Sequence, residues 1–361
     1  MSQPEGRMKP FESMTHAGQL RCLSRLAVKA LTAYDIPVSN LTALQHEDNT
    51  TFRVDLATGE RYVLRIHRPA LRTVESVRSE MMWLAALRRE TDLVVPEPLP
   101  TRDGNLLTVT SVAEIPEPRI CVLFRWIPGR FLDARLTPSH LERVGAFMAS
   151  VELHGAQFRP PMGFVRGRLD NLTDKARRTA ARGAGQALVR QQIDNPADEM
   201  AAIRLVTEIC SPEAGACVAT LIRKIRDVQQ IVGQKPETFG LIHGDLHQGN
   251  YFFHQGQVRA IDFDDCGYGY YLYDIAVTLS EVNWRESTPA LQKSFLAGYR
   301  SVRVLSSEHE RHLDTFIALR DLQLIIWKIE MRNHPAFRDG WASSVKEMLQ
   351  DVKKFVERQK T

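Results

Sequence analysis

The chain has 361 residues, more than one small core usually spans, so its length predicts two domains or one two-lobed unit. Apolar residues at 43% and charged residues at 25% exclude a disordered chain and a membrane-embedded one. A net charge of +4 is too small to define a nucleic-acid-binding face.

Residues 17–34 carry Leu20, Leu23, Leu26, Ala27, Ala30 and Leu31 at helical spacing and predict a leading helix. From residue 38 the pattern shifts to short runs with β character, LTALQH, TFRVDL and RYVLRIH, broken at 47–50 and 57–60. The second break, Ala-Thr-Gly-Glu, reads as a hairpin turn because Gly59 adopts positive φ at little cost. Residues 73–90 place Val77, Met81, Leu84 and Leu87 on one helical face. Pro96, Pro98 and Pro100 then impose an extended path, and apolar runs at 106–112 and 120–127 complete a five-stranded antiparallel sheet that Pro128-Gly129 ends. The expectation is an α+β chain, with a small lobe over residues 1–127 and a larger, mainly helical lobe over 128–361.

Thr137-Pro138 opens a predicted helix that runs to His154. Residues 163–192 are rich in Arg, Gly and Ala and read as a solvated helical face or loop, with the basic run from Lys175 to Arg182 as a candidate partner surface. Helices are predicted over 197–233, 270–303 and 308–333 and from Ala342 onward. Gly267 and Gly269 in CGYGYY are expected to be turn glycines, since no strand-turn-helix context marks a dinucleotide fingerprint. Five cysteines, Cys22, Cys121, Cys210, Cys217 and Cys266, are odd in number and lack C-x-x-C spacing, which points to reduced thiols. The start, MSQPEGRMKPFESMTHAG, has no basic-then-apolar leader, and no run reaches about eighteen apolar residues. A cytoplasmic protein without a membrane partner is expected.

The densest chemistry lies at 241–265, LIHGDLHQGNYFFHQGQVRAIDFDD, which sets His243, Asp245 and Asn250 in one tight loop and brings Asp262 up after a short apolar run. Strands at 251–253 and 258–261, joined by His254-Gln255-Gly256, would fold Asp262 back beside Asn250 as the two ends of a hairpin. Phosphoryl transfer asks for such an arrangement: a carboxylate to orient the attacking hydroxyl and take its proton, and hard oxygen ligands for magnesium. Asp245 is the candidate base; Asn250 and Asp262 are the candidate metal ligands.

The string HGDLHQGN followed by AIDFDD resembles the aminoglycoside phosphotransferase and choline kinase superfamily, with its H-G-D-x-x-x-x-N and I-D-x-D motifs. The run IDFDDCGYGYYLYDIAVTL looks nearest to a branch that includes stress-response kinases and homoserine-kinase-like enzymes. The resemblance implies a bilobal protein-kinase-like fold, ATP and Mg2+ as cofactors, Asp245 as catalytic aspartate, a catalytic loop at 243–250 and a metal-binding segment at 261–265. It extends to EDNTTFRVDL as a nucleotide-covering hairpin, YVLRIHRP as a phosphate-anchoring strand and SEMMWLAAL as the helix carrying an acidic partner. On that match Arg65 stands where the kinase fold often has lysine, with Glu80 as its ion-pair partner, and the hairpin lacks the G-x-G-x-x-G glycines, leaving phosphate contacts to backbone N–H groups and to Asn49, Thr50 or Thr51. An adenine ring is expected against the backbone of 123–126, including Phe124 and Trp126. His243 and Asp274 are expected to brace the loop, while His247, Asp264 and Asp265 could face substrate. The implied reaction moves the γ-phosphate to a hydroxyl of a small metabolite or of a protein Ser/Thr. An amino alcohol would be matched by Asp264, Asp265 and the acids of 281–286. An antibiotic kinase and a catalytically silent binding protein remain open alternatives.

Overall fold

The computed structural model describes residues 10–47, 49–69, 71–132, 135–173, 196–282, 288–333 and 339–358. By its internal contacts the chain divides into two units, Met1–Arg88 with Pro96–Ile127, and Arg89–Val95 with Pro128–Thr361. The basic run from Lys175 to Arg182, and Glu286 among the acids of 281–286, lie outside the described residues.

In the first unit the leading apolar stripe forms α1 (His16–Leu31), whose N-cap Thr15 accepts a hydrogen bond from the Gly18 N–H. A five-stranded antiparallel sheet follows, built from β1 (Val38–His46), β2 (Thr50–Leu56), β3 (Arg61–Ile66), β4 (Thr108–Thr110) and β5 (Arg119–Arg125) in the order β1-β2-β3-β5-β4. Along β2 every second residue is buried, Thr50, Phe52, Val54 and Leu56, the period of a strand with one face on a core. That core joins Leu23, Leu26, Ala27 and Leu31 of α1 to Phe52, Val54, Tyr62, Leu64 and Ile66. Since Tyr62, Leu64 and Ile66 point into it, alternation sends Arg65 to the opposite sheet face, where Glu80 of α2 (Val74–Glu90) meets it. The run at 106–112 pairs over only three residues, shorter than expected. Residues 101–105 are drawn into a turn closed by the Thr101 N–H on Asn105 O, and the Ser111 carbonyl accepts from Lys29 Nζ instead of joining the ladder.

The second unit is mainly helical. It contains α3 (Pro138–Gln157), α4 (Pro196–Ile209), α5 (Pro212–Val232), α6 (Tyr271–Ser280), α7 (Thr288–Arg300), α8 (Ser307–Glu310), α9 (Leu313–Glu330) and α10 (Trp341–Arg358). Two short antiparallel pairs interrupt the helices, β6 (Phe239–Ile242) with β9 (Gly267–Tyr270), and β7 (Tyr251–His254) with β8 (Gln257–Ala260). The helix expected over 197–233 is two helices, because Ser211 caps α5 through the Ala214 N–H and Pro212 occupies its first turn. The helix expected over 308–333 is likewise split by α8. Gly155 lets α3 lie directly on β6: a Cβ there would fall 2.2 Å from Leu241 O. Gly267 and Gly269 belong to strand β9, which corrects their reading as turn glycines. A Cβ would meet Gly167 O at 2.8 Å from the first and Ile242 Cδ1 at 2.7 Å from the second, so both serve close chain approach. Among the described residues no helix is long and apolar enough to cross a membrane, and all five cysteines are free thiols.

Candidate active site

β6 is buried along its whole length and delivers the chain to His243 from a strand fixed against β9. The turn that follows is held from α6: the Asp274 carboxylate accepts the N–H groups of His243 (3.1 Å) and Gly244 (2.8 Å), and Thr278, one helical turn on, donates its hydroxyl to Leu246 O at 2.5 Å. Gly244 sits at φ +82°, with a would-be Cβ only 2.5 Å from Leu169 Cδ1, so the turn requires glycine. Burial pushes the Asp274 carboxyl up to about 7, against the opposing pull of the two N–H donors.

His243 is fully buried, and its hydrogen bonds fix its tautomer. Nδ1 accepts the Asp245 N–H at 3.2 Å, so Nε2 carries the proton and donates to Ile261 O at 3.1 Å. Burial lowers its pKa to about 4 and keeps the ring neutral. One imidazole therefore ties the loop to the end of β8.

The Asp245 side chain is held on both oxygens. Arg320 Nη2 donates to Oδ1 at 2.6 Å, and Asn250 Nδ2 donates to Oδ2 at 3.1 Å and to the Asp245 carbonyl at 2.9 Å. His247 Nε2 lies 3.5 Å from Oδ2. Burial works to raise the carboxyl pKa, but Arg320 and the two histidines outweigh it and hold Asp245 well below the usual carboxylate range. For His247 burial opposes the charge, while the Asp245 carboxylate prevails and raises its pKa.

The β7–β8 hairpin turns through Gln255 (φ +49°) and Gly256 (φ +78°), the paired positive values that suit strand twist. Its open end bonds the Ile261 N–H to Asn250 O at 2.9 Å, which brings Asp262, itself at φ +60°, beside Asn250. Asn250 commits Nδ2 to Asp245, which leaves Oδ1 as its atom for a cation. An amide oxygen and a neighbouring carboxylate fit magnesium, whose shell is completed by substrate phosphates and water. The segment after Asp262 is held by Arg166, which donates Nη2 to Asp264 O (2.6 Å) and Nε to Cys266 O (2.5 Å); Asp264 is buried and Asp265 half-buried.

In the first unit Arg65 Nη2 reaches both Glu80 oxygens at 2.8 and 2.7 Å, and its guanidinium stands 5.0 Å from the buried Phe124 ring. Thr50 is buried, with its hydroxyl 2.8 Å from His46 Nδ1, and the Asn49 side chain accepts the Arg68 N–H at 3.4 Å. The N–H groups of Arg125 and Trp126 bond to Glu97 O and Arg61 O. The structure thus gathers Arg65, Glu80 and Phe124 in one unit, and His243, Asp245, His247, Asn250, Asp262, Asp264, Asp265 and Asp274 in the other. Sequence reasoning missed Arg320, Thr278 and Arg166. The one local signal was an arginine inside the apolar stripe of α9, between Phe316, Leu319 and Gln323.

Residues 40–312, more than half the chain, match the model of the phosphotransferase enzyme family, APH. The chain belongs to that family and is an ATP-dependent kinase of the aminoglycoside phosphotransferase and choline kinase superfamily. A microcompartment-associated aminopropanol kinase is 27% identical, with a TM-score of 0.69 over 93% of this chain and 98% of that one. An amicoumacin kinase, hAmiN, in complex with AMP-PNP, Ca2+ and Ami, shares the fold at 19% identity and a TM-score of 0.70, covering 94% and 96% of the two chains. An uncharacterised protein of Deinococcus radiodurans is 28% identical over 295 residues, 80% of this chain and 77% of its own.

Proposed function

We propose that the enzyme transfers the γ-phosphate of ATP to the hydroxyl of a small amine-bearing alcohol, with Asp245 as the catalytic aspartate. The observation that carries this reading is the Asp245 carboxylate, fixed on both oxygens beside Asn250 and anchored from below through Asp274. The acceptor oxygen forms its bond to the γ-phosphorus as the bond to the β-phosphate oxygen breaks, and the hydroxyl proton passes to Asp245. With its basicity held down by Arg320, Asp245 first orients the hydroxyl and takes the proton late, which suits a loose transition state. Asn250 and Asp262 are the ligands proposed for Mg2+, which supplies neutralisation of phosphate charge. Arg65, oriented by Glu80, is proposed to contact phosphate oxygens in the place of the usual lysine.

The amine preference rests on acids around the loop. Glu281, half-buried, stands at the C-terminal end of α6, the helix that carries Asp274 and Thr278, and Asp321 lies next to Arg320 on α9. The likeness to an aminopropanol kinase supports the same class. The test is phosphorylation from labelled ATP over a panel of 1-amino-2-propanol, homoserine, choline, aminoglycosides, amine-free polyols and a peptide mixture. Label is expected on small amino alcohols. Label confined to polyols or peptides would overturn the acceptor class.

A further inference from the structure

Arg320 lies beyond the residues matched by the family model, yet it makes the shortest hydrogen bond to the Asp245 carboxylate. Its side chain is 8% exposed and that of Asp245 is 20% exposed, so neither charge is well hydrated and each depends on the other for compensation. The helix that carries Arg320 is tied down independently. Three residues along the same face, Gln323 Nε2 donates to Leu169 O at 2.9 Å and to Asn171 O at 2.6 Å, and Leu169 is itself bonded to β9 through Tyr268 O. Arg320 therefore reaches Asp245 from a support separate from the Asp274 and Thr278 contacts that hold the loop backbone.

We propose, resting on Asp245 as the catalytic aspartate, that Arg320 is a positioning residue: it grips Oδ1 and so fixes the carboxylate plane in which Oδ2 meets Asn250 and the acceptor hydroxyl. Without that grip the carboxylate rotates about its Cβ–Cγ bond, and Asn250, whose Nδ2 is shared between the carbonyl and carboxylate of Asp245, loses one of the bonds that set the direction of its amide oxygen. One arginine on α9 thus orders both the proton acceptor and a proposed metal ligand.

The test measures kcat and KM for ATP in wild type, Arg320→Ala, Arg320→Lys and Asp245→Asn, using Mg-ATP with 1-amino-2-propanol and, in parallel, acceptor-free ATP hydrolysis. Arg320→Ala is expected to lose about 10²-fold in kcat, the scale of a displaced catalytic group, with KM for ATP within about twofold. Guanidinium chloride, at concentrations that leave the melting temperature unchanged, is expected to restore roughly tenfold, the worth of one hydrogen bond to a charged group. The same salt is expected to do nothing for Asp245→Asn. Should Arg320→Ala not fold, Arg320→Lys carries the test: it keeps the cation on a shorter reach and is expected to fold and still lose about tenfold in kcat. Unchanged kcat in a folded variant, or a loss that guanidinium leaves untouched while melting and nucleotide affinity match wild type, would overturn the role. Wild-type turnover in Asp245→Asn would instead remove the assignment of Asp245, and the role of Arg320 with it.

Discussion

At the scale of single residues the site is a set of buried charges whose positions are over-determined. Asp274 illustrates the cost: its carboxylate is fully buried and accepts two loop N–H groups. Asp274→Asn turns one acceptor oxygen into a donor facing an N–H, so the loop must shift. We expect kcat to fall by about 10²-fold while the protein still binds nucleotide, measured by steady-state kinetics beside nucleotide titration. In the first unit the Arg65–Glu80 pair is equally dry, at 7% and 0% side-chain exposure. Glu80→Ala removes the carboxylate that both hydrogen bonds reach and is expected to cost about 3–5 kcal/mol in denaturant unfolding, whereas a loss below about 1 kcal/mol would contradict this.

At the scale of elements, the strands were the most legible part of the sequence. β2 alternates buried and half-buried residues, whereas Leu64, Arg65 and Ile66 of β3 are all buried, so the strand period is legible along β2 and Arg65 was read from the resemblance of its strand. The loop motif was legible too, because His243, Asp245, Asn250 and Asp262 lie close in sequence and a short hairpin closes their geometry. Arg320 was not legible: its bond to Asp245 spans 75 residues, and nothing local to α9 names its partner. The strand character of Gly267–Tyr270 was hidden for a related reason, since it depends on pairing with β6 and on the neighbouring run Gly167–Leu169. The contact of α3 with β6 through Gly155 predicts a further effect at this scale. Gly155→Ala pushes a methyl into Leu241 O and is expected to destabilise by about 1–3 kcal/mol in denaturant unfolding and to lower kcat, because β6 delivers the loop.

At the scale of the whole molecule, two groups of one network give opposite pH dependences. His243, lowered on folding from 6.5 to about 4, binds its proton more readily in the unfolded chain; its contribution to stability is complete above pH 6.5 and is lost as pH falls toward 4. Asp274, raised from 3.8 to about 7, works the other way: its contribution is complete below pH 3.8 and is lost as pH rises through 7. The two windows overlap and offset each other. Asp274→Asn removes the second, so the melting temperature of the variant is expected to rise between pH 4 and 6.5 more steeply than that of wild type. An equal or shallower slope would mean that one of these groups is not buried in the form that folds. The central claim, that this molecule is a kinase working through the aspartate of its loop, is tested most directly by comparing wild type and Asp245→Asn in labelled phosphate transfer from Mg-ATP to 1-amino-2-propanol. The account predicts a loss of about 10²- to 10⁴-fold in kcat with nucleotide affinity retained; equal turnover by the two proteins would contradict it.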